Sequence, residues 1–329
     1  MIVGITGATG FVGAAVIKRL LSDGYCVRVL SRKSALNFPA HVEVFHGDLS
    51  NTESNFDHFV TGCNILIHCA AEIHDSQLMH LVHVSGTKML LDACERSMVN
   101  GNKIHWIQLS SVGVYGPAIN RLQNRVITEN STTNPIGVYE ITKLESDDLV
   151  RKLKLSSFTY TILRPSNIIG KDMTNQSFWQ LCFAIKKNLY FHIGNPDSIA
   201  TYIHIDDVVE AMLKCMLCPA ARNQIFNISS DVFMQDLVKK IAEYVGSKNP
   251  KIRLPLPFIS LFLYLFEGKL KLPISTARAN ALTNRTRYPI DKIHSLLEFN
   301  LTKPMPLGVT DVISSNINLM KCIEKHKKL

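Results

Sequence analysis

The chain has 329 residues, 46% of them hydrophobic, which is enough to bury a large core and to form one doubly wound domain with a smaller lobe. A formal net charge of +9 raises the question of nucleic acid. The basic residues are nevertheless dispersed apart from short clusters at Arg151–Lys154, Lys186-Lys187, Lys239-Lys240 and Lys325–Lys328, and no basic and aromatic alternation offers a base-stacking surface, so the charge suits anionic small molecules and no nucleic-acid partner is expected.

Ile2-Val3-Gly4-Ile5-Thr6 reads as a buried strand running straight into Gly7-Ala-Thr-Gly10-Phe-Val-Gly13, with the helix-forming segment Ala14 to Leu21 immediately after. Gly7 supplies the left-handed backbone of a tight turn, Gly10 lets the main chain approach a diphosphate, and Gly13 lets helix and strand pack closely. Amides at the helix N-terminus then face the anion. No basic segment precedes this apolar start, so no secretory signal is expected, and reduced cysteines without ligand-like spacing fit a cytoplasmic protein with no metal site.

The second strand, Val27 to Ser31, is followed by Arg32 and Lys33 and carries no acid. An aspartate at Ser31 would repel a 2'-phosphate, whereas Arg32 and Lys33 can pair with one, so NADP(H) is favoured and NAD(H) stays open, with Arg32 stacking on adenine. Further strands near residues 42–46, 65–70, 104–110 and 159–164 alternate with helices starting near Asn51, Gln77 and Tyr139. This alternation predicts a parallel sheet covered on both faces, with its ligand at the carboxyl ends of the strands. His68, within one such strand, reads as packed core.

The strand at 104–110 ends in Ser110-Ser111, and Tyr139 and Lys143 follow on one helix face. A phenol titrates near pH ~10 in water. The Lys143 ammonium is expected to bring Tyr139 down toward working pH so that it serves as a proton donor, with Ser111 holding the reacting oxygen.

Beyond residue 170 the pattern loosens into helices at Trp179–Lys187 and Asp206–Met216, a strand at Gln224–Ile228, a helix at Met234–Val245 and a final amphipathic helix near Val309–Cys322. The longest apolar run, Leu254 to Phe266, contains two prolines and falls short of the ~20 residues that cross a membrane. It is expected to be a buried element of the second lobe rather than a pocket lid or a membrane-surface patch.

Thr6–Gly13, Gly47-Asp48-Leu49, His68-Cys69-Ala70-Ala71, Ser110–Gly116, Tyr139/Lys143, Arg164-Pro165-Ser-Asn167 and Tyr202–Asp207 together resemble the extended short-chain dehydrogenases/reductases, in their epimerase/dehydratase branch acting on nucleotide sugars. The resemblance implies a Rossmann-type doubly wound parallel sheet over residues 1–170 and a mainly substrate-binding lobe over 171–329, interleaved with it. It places Gly7, Thr9, Gly10, Phe11, Val12 and Gly13 at the cofactor diphosphate, Asp48 and Leu49 at adenine, Ala70 and Ala71 at ribose, Lys143 on ribose hydroxyls and Pro165 beside the nicotinamide. Ser111, Tyr139 and Lys143 are the implied catalytic residues. Ser111 and Asn167, with Arg278, Arg285 and Arg287 as phosphate clamps, are the implied substrate contacts. A homodimer through helices near Gln77–Arg96 and Tyr139–Lys154 is implied as well. One departure is His83 in His83-Val-Ser-Gly86-Thr87, where the family commonly has asparagine; an imidazole there either relays a proton or weakens the lysine.

Dehydratases of this family carry an acid, and fucose-synthase-like enzymes a cysteine, within the stretch occupied here by Val112-Gly113. Redox chemistry at a single carbon remains. The expected activity is NADPH-dependent reduction of a 4-keto nucleotide-diphosphate sugar. The alternatives are a UDP-hexose 4-epimerase, a reductase of a hydrophobic hydroxy compound similar to hydroxysteroid or dihydroflavonol enzymes, and a non-catalytic NADP(H) sensor. Retention of both Tyr139 and Lys143 argues against the sensor.

Overall fold

A computed structural model describes residues 1–33, 38–99, 101–118, 123–173, 176–267 and 275–316. Seven strands build its main sheet: β1 (Ile2–Thr6), β2 (Cys26–Ser31), β3 (Glu43–His46), β4 (Ile65–His68), β5 (Ile104–Leu109), β6 (Phe158–Pro165) and β7 (Gln224–Ile228). They lie in the order 7-6-5-4-1-2-3, and every neighbouring pair is parallel. The strand order reverses beside β1, which in a doubly wound sheet opens a crevice at the carboxyl ends. β4 and β5 are buried at every residue, as strands covered on both faces must be.

The helices of eleven residues or more are α1 (Phe11–Ser22), α2 (Gly86–Val99), α3 (Val138–Lys152), α4 (Gln176–Lys186), α5 (Ile205–Leu217), α6 (Met234–Val245) and α7 (Leu256–Phe266). Alternation along β5 feeds two cores. Ile107 and Leu109 join Val16 and Leu20 of α1 and Val208 and Met212 of α5 on one face. Trp106 joins Leu90 and Cys94 of α2 and Val150 of α3 on the other. A third core, around Phe178, Trp179, Leu237, Ile241 and Val309, belongs to the second lobe.

Residues beyond 170 return to the first sheet: β7 extends it and α5 covers it. Thr286–Arg287 pairs with Arg125–Val126, and Ile199–His204 bridges Asn167–Ile169 to Ser230–Phe233.

Three expectations need correction. No helix starts at Asn51. Asp48, Asn51 and Asn55 each accept a backbone N–H two residues on, which gives successive turns, and only Asp57–Val60 is helical. The run Leu254 to Phe266 is not a buried element: within α7 only Ile259 and Leu263 are buried, because the helix lies on the small core of Ile193 and Ala279 with nothing over its outer face among the described residues. The last described helix spans Val309–Ser314, Ser315 and Asn316 follow it as non-helical residues, and 317–322 of the predicted segment lie outside the described residues.

Candidate active site

The turn after β1 explains its glycines by close approach. Gly7 has φ +68°, and a Cβ on it would meet Ala70 N at 2.6 Å; a Cβ on Gly13 would meet Gly7 O at 2.2 Å. Gly10 is different, since a Cβ there would meet only Gly7 O, at 3.2 Å, and would otherwise extend into open space. No side chain caps α1 at Gly10, so its first amides face the same space. The result is a groove of about 260 Å³ in which Gly7, Thr9, Gly10, Arg32, Lys33, Asp48, Leu49, Ala70 and Ala71 all take part in the lining. Phe11, Val12 and Gly13 form the first turn of α1, and Pro165 closes β6. Ser31 Oγ accepts from Lys33 N at 3.0 Å and so holds the turn that presents Arg32 and Lys33, both exposed.

Ser111 follows β5 and caps the short helix Val112–Tyr115, its Oγ accepting from Gly113 N at 3.0 Å. Its hydroxyl proton is left for another acceptor. That short helix packs on the first turn of α3, where a Cβ on Gly113 would meet Glu140 Cγ at 2.7 Å and Ser111 Oγ at 3.3 Å. The place where sequence reasoning found no acid is therefore filled by a glutamate from the helix.

Tyr139 and Lys143 share a stripe of α3 that continues to Asp147, four residues on. Lys143 is buried, and burial lowers its pKa against the pull of Asp147 and Cys69. The expectation that Lys143 lowers the Tyr139 pKa does not hold in this structure: burial pushes the phenol up to about 12, with Glu140 and Asp147 adding to the shift. Desolvation penalises the phenolate, and the two carboxylates penalise it further.

Asp147 was missed by sequence reasoning, although its spacing from Lys143 was a signal. It is fully buried, accepts from Ser110 Oγ at 2.7 Å and pairs with Arg164 at 3.1 Å. Arg164 in turn donates to Tyr115 Oη at 3.0 Å, and Tyr115 donates to Asn227 Oδ1 at 2.9 Å. One chain of polar groups thus ties α3, β5, β6 and β7 together beneath the site. Burial raises the Asp147 pKa while Arg164 opposes the rise.

The family model of the NAD dependent epimerase/dehydratase family matches residues 3–229. The chain belongs to that family. It is an NAD(P)-dependent enzyme of the extended short-chain dehydrogenase/reductase type, with a Rossmann-like sheet. Over 276 residues it is 26% identical to a UDP-glucose 4-epimerase from Vibrio cholerae, covering 81% of each chain. A sterol-4-alpha-carboxylate 3-dehydrogenase (decarboxylating) from Bos taurus is 25% identical over 210 residues, 62% of this chain and 57% of that one. A solved UDP-glucuronic acid 4-epimerase from Bacillus cereus, in complex with NAD, has the same fold, with a TM-score of 0.71 at 17% identity over 99% of both chains.

His83, the departure from the family pattern, lies in the π-helical turn Leu81–Ser85 ahead of α2. Its Nε2 accepts from Glu72 N at 2.9 Å, which puts the proton on Nδ1, where it is donated to Thr142 Oγ1 at 2.8 Å. Both nitrogens are committed, and burial with the nearby Lys143 pushes the pKa down to about 4. His83 therefore ties the groove wall to α3 as a neutral ring. His68 is buried core, bonded to Thr6 and Thr87.

The substrate residues named from the resemblance are spread over the second lobe. Exposed Asn167 donates to Thr201 O at 3.0 Å. Arg285 pairs with Asp197 at 3.0 Å and lines a pocket of about 490 Å³ with Asn195, Arg253 and Leu256. The Arg287 guanidinium lies 5.0 Å from the Phe233 ring centroid, and Arg278 is an exposed residue of the helix Thr276–Leu282. None of the three arginines lines the groove of the β1 turn.

Proposed function

We propose that this enzyme epimerises C4 of a nucleotide-diphosphate hexose. The reading rests above all on one observation: Ser111, Tyr139 and Lys143 come from the carboxyl end of β5 and the first turns of α3, at the same edge of the sheet as the glycine groove. Similarity to the Vibrio cholerae UDP-glucose 4-epimerase over most of both chains supports the substrate class.

The groove suits a dinucleotide. Open space at Gly10 and uncapped amides of α1 fit a diphosphate, Asp48 and Leu49 an adenosine, and Lys143 the hydroxyls of the second ribose. When bound, the nicotinamide supplies the hydride chemistry. The chain itself handles the proton: Tyr139 takes it from the C4 hydroxyl and returns it, while Ser111 Oγ–H orients that oxygen. A ring kept protonated by burial is ready to donate and needs a nearby positive charge to accept. Lys143 supplies that charge, and Asp147, one turn along α3, favours its charged form.

Arg32 and Lys33 favour a second reading, NADPH-dependent reduction of a 4-keto nucleotide sugar, because they can grip a 2'-phosphate and no acid stands beside them. Incubation with UDP-glucose, and separately with a 4-keto-6-deoxy nucleotide sugar plus NADPH, tests both. UDP-galactose formed with no net change in nicotinamide absorbance is the expected result; stoichiometric loss of NADPH with the keto sugar would replace epimerisation by reduction. Oxidation of a sterol-class alcohol with no reaction of any UDP-hexose would overturn both. A dehydrated product would do the same and would point to Glu140 as the acid.

A further inference from the structure

α7 contains no charged residue, and its outer face presents Phe258 (61% exposed), Leu261 (58%), Tyr264 (85%) and Leu265 (45%) to solvent, with Phe262 and Phe266 beside them. A contiguous apolar face of this kind on a soluble domain marks an interaction surface. The sequence flanking it is basic. From Tyr244 to Ile290 the sequence carries eight basic residues and one acid, Glu267, which is seven of the nine net positive charges of the chain. Lys248, Lys251 and Arg253, just before α7, are all exposed.

We propose that α7 and the basic residues around it dock the protein on an anionic lipid bilayer. The apolar face enters the boundary between headgroups and acyl chains, and the lysines and arginines meet the lipid phosphates. Eleven residues of helix reach about 16 Å, roughly half the hydrocarbon thickness, so α7 lies along the surface and does not cross. Among the described residues no helix is long and apolar enough to span a membrane. A second copy of the chain is the less suitable occupant, because it would bring the same excess positive charge face to face. The inference is independent of which sugar, or which cofactor, the active site takes.

Flotation of the full chain with vesicles tests it. The protein is expected to float with vesicles of phosphatidylglycerol and phosphatidylcholine, and much less with phosphatidylcholine alone. The triple variant Phe258→Ser, Leu261→Ser, Leu265→Ser should lose at least about thirtyfold in vesicle affinity while keeping the wild-type thermal melt, since these side chains are exposed in the free protein. Lys248→Ala with Lys251→Ala should lose roughly fivefold per lysine on the anionic vesicles only. Absence of wild-type flotation, or undiminished flotation of the triple variant, would overturn the proposal. So would a fall in sedimentation coefficient in the triple variant with lipid binding unchanged, which would make the face a subunit contact.

Discussion

At the scale of single residues, the proposed chemistry gives Tyr139 and Lys143 separable jobs. Tyr139→Phe removes the phenol hydroxyl and leaves the ring, so turnover should fall by at least about a hundredfold while cofactor affinity, read by nicotinamide fluorescence, stays near that of the wild type. Lys143→Ala should damage both, because the same ammonium serves the cofactor ribose and the phenolate. Wild-type single-turnover rates in the tyrosine variant would remove it from the mechanism. Arg32 sets a second test. If its guanidinium grips a 2'-phosphate, Arg32→Ala should weaken NADPH roughly ten- to a hundredfold and leave NADH little changed. Equal loss of both in calorimetric titration would assign Arg32 to stacking on adenine and would remove the main support for the reductase reading.

At the scale of elements, α3 is the piece that organises the site, and its fixed point is Asp147. The carboxylate sits between Ser110 after β5 and Arg164 on β6, both buried. Asp147→Ala would strand the Arg164 guanidinium, and breaking a buried pair from one side costs about 3–5 kcal/mol. Urea denaturation should show that loss, with Asp147→Asn milder because the amide oxygen still accepts from Arg164. A midpoint near wild type in the alanine variant would mean that Tyr115 and water satisfy the arginine alone. α7 carries the opposite lesson at this scale. Its sequence is as apolar as a core helix, yet only Ile259 and Leu263 are buried, with Leu256 partly covered, because the core beneath it is small.

At the scale of the molecule, three buried histidines make stability depend on pH. His83 is pushed down to about 4 and His105 to about 3, while His68 lies well below its ordinary value, in each case chiefly by burial. A group whose folded pKa is depressed takes up its proton first in the unfolded chain, so this stability is complete above about pH 6.5 and is lost as pH falls toward 4. His83 and His105 each contribute about 2 kcal/mol of loss by pH 5, and His68 acts in the same direction. Asp231 works the other way: burial raises it to about 6, so its effect on stability improves as pH drops through that value. The histidines outweigh Asp231, so stability should fall by at least about 2 kcal/mol between pH 7 and 5, against the ~5–15 kcal/mol typical of a domain. A urea midpoint unchanged between these two pH values would show that the histidines are solvated.

The strands of the main sheet along the chain, the glycine turn and the placing of Tyr139 and Lys143 on one helix were legible in the sequence because each depends on local spacing: unbroken apolar runs, glycines three apart, and side chains four apart on a helix. Asp147 and Glu140 lay on the same helix and were legible by the same rule, but their importance came from partners far away in sequence, Arg164 and Gly113. Only the tertiary structure could decide the direction of the Tyr139 pKa shift, because it depends on how deeply α3 is buried and on which charges face the ring. It alone decided the commitment of both His83 nitrogens, since Glu72 and Thr142 reach the ring from different elements. It alone decided that α7 lies open, because hydrophobicity states what a segment avoids and only packing states whether the fold supplies a cover.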